Sequence, residues 1–89
     1  MLAEGLTLAS NSPSSESEWE AWQRSEKLWV QRSIEWLAAE VSNAAALAFA
    51  NPVPMAARIR GSYNSAHNDR RLALQWRVQW LQRLKDAGP

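Results

Sequence analysis

The sequence predicts an all-α protein: an antiparallel helical hairpin of two long helices with a short intervening helix and a flexible N-terminal tail. Three observations carry that prediction. Apolar residues recur at helical spacing over two long stretches. No segment alternates apolar and polar residues as a half-buried strand would. The strongest chain breakers gather before the first stretch, at Ser10-Asn11-Ser12-Pro13, and after it, at Asn51-Pro52-Val53-Pro54.

Residues 1–15 read as the tail, and residues 16–89 as one helical domain. Little regular structure is expected in the tail, although Leu2, Leu6 and Leu8 are available to dock on a partner or in the protein's own groove. Ser15 with Glu18 and Ser17 with Glu20 both match the S-x-x-E capping box, and acids crowd the first turn, where the helix dipole favours them. The first helix is expected over about 17–50. Asn51-Pro52 ends it, because proline cannot donate to the helical ladder and holds its predecessor extended. A short helix is expected over about 54–60 with Gly61 as its stop. A final helix over about 66–87, with Ser65 as its cap, completes the hairpin. The alternative is one bent helix over 55–87.

The first helix carries the most informative pattern. Trp22, Trp29 and Trp36 are seven residues apart, two helical turns, so their indoles line one edge of an apolar arc. Trp19 extends the line by a turn, and Trp76 with Trp80 forms a second pair downstream. Indoles combine a large apolar area with one N–H donor, which suits them to interfaces. The six tryptophans, Trp19, Trp22, Trp29, Trp36, Trp76 and Trp80, are therefore the expected partner-binding residues. Alanines dominate the other end of the same helix, from Ala38 to Ala50, a taper that admits a close antiparallel helix.

Glu26, Ser33 and Glu40 fall inside the same arc, also seven apart. A carboxylate within an apolar stripe is costly to bury without a cation. Arg77, on the last helix within a face formed by Ala73, Trp76, Trp80, Leu81 and Leu84, is the expected partner of Glu26 or Glu40, within the chain or across a dimer. The plainer alternative leaves both carboxylates in water at the rim of the arc.

The net charge of +1 conceals a polarised chain. Residues 1–51 hold seven acidic and three basic side chains; residues 52–89 hold seven basic and two acidic. Such a chain is suited to folding its halves together, to self-association, or to presenting its basic half to an anion. The anion reading makes nucleic acid the alternative partner, with Arg58, Arg60, Arg70 and Arg71 as its contacts in a helix–turn–helix arrangement. Against it, the arginines are spread around the helix and the first half is acidic.

Catalysis finds little support. The single histidine, His67, lies in a polar run with Ser65 and Asp69, where a capping or solvent role is expected. No metal site, cofactor or glycine-rich phosphate loop is indicated, and the chain has no cysteine. The longest uncharged run, residues 41–57, is too short and too polar to span a membrane, and the acids of the first helix disfavour a surface-lying role. A cytoplasmic location is expected. The expected function is non-enzymatic: an adaptor, assembly factor or inhibitor that binds another protein through a tryptophan-lined helix face and self-associates. This is the general look of a small bacterial or phage accessory protein.

Overall fold

The structure, a computed structural model, describes residues 2–53 and 57–87. Among the described residues four helices follow one another: α1 (Leu2–Ser10), α2 (Glu16–Glu40), α3 (Asn43–Ala50) and α4 (Ser65–Ala87). The fold class is all-α, as the sequence predicts, with two long helices and two short ones.

Helix α2 starts where the capping residues place it. Ser15 is extended, and its Oγ accepts the Glu18 N–H at 3.2 Å. Glu18 reaches back one residue further than in the simple box and takes the Ser14 N–H at 2.8 Å and the Ser14 hydroxyl at 2.6 Å. Those Ser14 donors hold its carboxyl below the usual range.

The expected single helix over 17–50 is instead two helices. At Val41–Ser42 the ladder ends: the N–H groups of Val41 and Ser42 both donate to the Leu37 carbonyl at 2.9 Å. The Ser42 Oγ then accepts the Ala45 N–H at 3.0 Å and opens α3. A serine side chain substitutes for the missing helical acceptor at such a start. The fold-back places Phe49 wholly inside, 5.7 Å from the Trp29 ring and 5.8 Å from the Trp80 ring, centroid to centroid. Burying a phenylalanine contributes about 1.5–3 kcal/mol, ample to offset one broken helical turn. Helix α3 is therefore the antiparallel neighbour of α2. The following segment carries the chain back, so that α4 begins beside the first turns of α2, with His67 against Trp19 and Trp22 and Arg70 on Glu26.

The short helix expected over 54–60 lies partly outside the described residues, at 54–56; residues 57–60 are not helical. The bent helix over 55–87 is not formed either. Gly61, at φ +82°, turns the chain in a region that favours glycine. Asn68 then ties the loop down from inside α4: its side-chain oxygen accepts the Ile59 N–H at 2.6 Å and its amide donates to the Ala57 carbonyl at 2.8 Å. Asn64, not Ser65, caps α4, accepting the His67 N–H at 2.7 Å.

The N-terminal segment, expected to be a tail, forms α1. Its Leu8 is buried among Trp22, Trp29 and Val78, and Leu2 and Ala9 pack on the same cluster. Nine residues are too few for a stable helix in water, so α1 exists by docking. The Trp22 Nε1–H donates to the Leu8 carbonyl at 3.0 Å. Gly5 meets Trp29 so closely that a Cβ there would stand 2.6 Å from the ring.

Candidate functional site

The six tryptophans divide by burial. Trp19, Trp22 and Trp29 are 6%, 5% and 2% exposed and form the centre of the core, with Trp19 and Trp22 stacked at 5.6 Å. Trp76 and Trp80 are half-buried, Trp80 against Phe49. Trp36, two turns beyond Trp29 on the same edge, is 44% exposed. The expected partner-binding set is corrected accordingly: three of its members are enclosed by α1, α3 and α4, because those elements lie across the α2 arc, and Trp36 is the rung left open.

The apolar face of α4 is rotated from the expected one. His67, Arg71, Leu74, Val78 and Leu81 form the buried stripe, at alternating spacings of four and three, while Ala73, Trp76, Arg77 and Leu84 sit at its flank. The heptad spacing of those five residues is legible in the sequence once His67 and Arg71 are admitted to an apolar stripe.

Three α4 arginines each reach a different helix. The Arg70 guanidinium donates to the Glu26 carboxylate on α2 at 2.9 Å. Arg71 donates to the Ala9 carbonyl at the end of α1 at 3.3 Å, and to the Arg60 carbonyl and Ser62 hydroxyl at 3.4 Å. Arg77 donates to the Phe49 and Ala50 carbonyls, the end of α3, at 3.1 and 3.0 Å, and its guanidinium lies 5.5 Å from the Phe49 ring centroid. The last carbonyls of a helix have no partner within it and carry the negative end of its dipole, so a guanidinium there supplies donors and charge together.

The expected Arg77 pairing is thus corrected. Glu26 is buried and meets Arg70; Glu40, at the last turn of α2, is exposed; Arg77 is spent on the end of α3. Burial pushes the Glu26 carboxyl above its ordinary value, with Arg70 and Arg77 opposing. Burial likewise lowers Arg77, opposed by Glu26. Ser33, fully buried in the same arc, donates its hydroxyl to the Trp29 carbonyl one turn back at 2.8 Å.

His67 is enclosed, not solvated. Its ring lies 4.8 Å from Trp22 and 5.4 Å from Trp19, near-perpendicular to both, and its Nδ1 accepts the Tyr63 N–H at 2.8 Å. That bond assigns the ring proton to Nε2. Burial, then the nearby Arg71, lowers its pKa. Ser65 and Asp69 are exposed and do not converge with it.

Of the four arginines in the nucleic-acid reading, half-buried Arg70 and buried Arg71 donate to acceptors within the fold, whereas Arg58 and Arg60 are exposed. The latter two line an open cleft of about 850 Å³ with Tyr63, Asn64 and Asp69. Among the described residues no group of three or more His, Cys, Asp or Glu side chains is placed to hold a metal, and no helix is long and apolar enough to cross a membrane.

Apolar side chains are exposed along α2 and onto α3. A crevice between α1 and α2 is lined by Glu4, Thr7, Leu8, Ser25, Leu28, Trp29 and Arg32. Leu28 and Trp36 stand half in water on α2, and Val41 and Leu47 are exposed at the α2–α3 turn and on α3. This arrangement offers exposed apolar area, and no reactive groups converge on it among the described residues. Compared with known proteins, the chain matches no family model, no curated protein and no solved structure.

Proposed function

We propose that the protein works without chemistry of its own, as an adaptor, assembly factor or inhibitor that binds another protein through the α2 flank ending at Trp36, and that it self-associates. One observation supports this above the others. Trp36 repeats the spacing of Trp22 and Trp29 yet is 44% exposed, against 5% and 2% for those two. A half-exposed indole on a helix that also exposes Leu28 is the kind of anchor that dominates protein interfaces. The internal use of Arg70 and Arg71 takes weight from the nucleic-acid alternative, since each donates to protein acceptors.

The test is site-directed photocrosslinking of the full chain in its native lysate, with the crosslinker at position 36 or, as control, at Gln31 on the opposite side of α2. A discrete adduct from position 36 and none from Gln31 is the expected result, alongside a light-scattering mass above that of one chain. A monomer that forms no adduct from position 36 overturns the reading, as does salt-sensitive binding to DNA or RNA that Arg58→Ala with Arg60→Ala abolishes.

A further inference from the structure

Helix α1 is held largely by its backbone. Trp22 Nε1 donates to the Leu8 carbonyl at 3.0 Å, and Arg71 donates to the Ala9 carbonyl at 3.3 Å. Both bonds end on main-chain oxygens that any helix terminating at this point would present. Side-chain requirements are strictest at two positions, with Leu2 and Ala9 packing part-buried on the core cluster. The residue at Gly5 must be glycine, because even a Cβ there meets Trp29 at 2.6 Å and Val78 at 3.0 Å. The residue three later must be apolar, as Leu8 is, buried in the core cluster.

The seat has unused capacity as well. The Arg71 Nε is buried without a partner beside the end of α1. The α2 flank continues past the Gly5 contact at Trp29 to the half-exposed Trp36. The occupant is short: nine residues, with Gly5 and Leu8 buried, Leu2 and Ala9 part-buried, and exposed Leu6 and Glu4 on its outer side. It joins α2 through the short segment Asn11–Ser14.

We infer that α1 is a displaceable plug, and that the groove between α2 and α4 is a docking site for the C-terminal end of a partner protein's helix bearing a glycine three positions before an apolar residue. The indole N–H of Trp22 and the guanidinium of Arg71 cap that helix end, and Trp29 selects the glycine. This rests on the protein-binding reading of the same flank, but its test reads the α1 seat alone, so either can fail without the other.

The experiment uses the full chain and, as probe, a labelled peptide with the sequence of residues 2–12, followed by fluorescence anisotropy. Gly5→Leu in the chain expels its own α1 and frees the seat. The expected result is at least tenfold tighter peptide binding by that variant than by the unaltered chain, and none by either for a peptide carrying the same Gly5→Leu change. Equal or absent binding to a folded Gly5→Leu chain overturns the inference, and so does a Gly5→Leu chain that fails to fold, since a plug must be dispensable. Native-state hydrogen exchange of the unaltered chain gives an independent reading. Amides of α1 should exchange at least tenfold faster than those of Leu74 and Val78; equal rates overturn the inference.

Discussion

The Glu26 carboxylate accepts a hydrogen bond from the Arg70 guanidinium at 2.9 Å, the one salt bridge among the described residues, with Glu26 mostly buried and Arg70 40% exposed. The two ends of the pair therefore differ in what each loses when the other is removed. Arg70→Ala strands a buried carboxylate and should cost about 1–3 kcal/mol. Glu26→Gln leaves an arginine that water reaches, and should stay within about 1 kcal/mol of the unaltered chain at neutral pH. Burial raises the folded-state pKa of Glu26 above its ordinary 4.5, so the folded protein holds this proton more tightly than the unfolded chain does. This group's contribution then falls as pH rises through the interval between those two values, and Arg70→Ala should widen that interval upward. Urea denaturation of both variants from pH 4 to 8 checks the asymmetry.

His67 should give the opposite pH dependence. Its folded pKa is lowered below the ordinary 6.5, so the unfolded chain takes up a proton before the folded protein does. Stability is full above about 6.5 and declines as pH falls below it. His67 is the single histidine, so its effect is read above the range where unperturbed carboxylates titrate, and the His67→Gln variant separates it from that of Glu26. The melting temperature should drop between pH 7.5 and 5, and His67→Gln, whose amide oxygen can still accept the Tyr63 N–H, should flatten that slope.

Trp29 and Trp36 should separate core from surface. Trp29→Ala removes an indole that touches Phe49 and the α1 backbone at Gly5, and should cost about 3–5 kcal/mol. Trp36→Ala should change stability by less than about 1 kcal/mol. Thermal melts of the two proteins decide it; a Trp36→Ala loss as large as that of Trp29→Ala would place Trp36 in the core.

Arg77 should act as a helix-end cap. Arg77→Ala deprives the Phe49 and Ala50 carbonyls of their donors and should cost about 1–3 kcal/mol, with faster amide exchange concentrated in α3. Arg77→Lys supplies one compact charge in place of a two-pronged fork and should recover part of the loss. Exchange rates that rise equally in α1 and α3 would assign Arg77 a general packing role instead.

What the sequence by itself determined was local. The capping serine and glutamate at Ser15 and Glu18 set the start of α2, Asn51-Pro52 follows the end of α3, and the helical period placed Trp19, Trp22 and Trp29 on one inward face. Each of these depends on residues within a turn or two of each other, so it can be read along the chain. The Ser42-Asn43 start of α3 is a local signal of the same kind, hidden in an alanine-rich run that reads as continuous helix.

Only the tertiary structure decided which tryptophans are enclosed and which basic side chains are spent. Helicity in α1 comes from the indole groove it lies in, not from its own nine residues, so its neighbours in sequence do not announce it. Periodicity narrows a buried arc to a broad sector; what lies opposite settles its centre, and on α4 that centre falls at His67, Leu74 and Val78, away from Trp76. Arginine reaches several ångströms from its backbone, which let adjacent Arg70 and Arg71 bond to different helices, α2 and α1. Spacing along one helix is silent about such reach, because the acceptor belongs to another part of the chain.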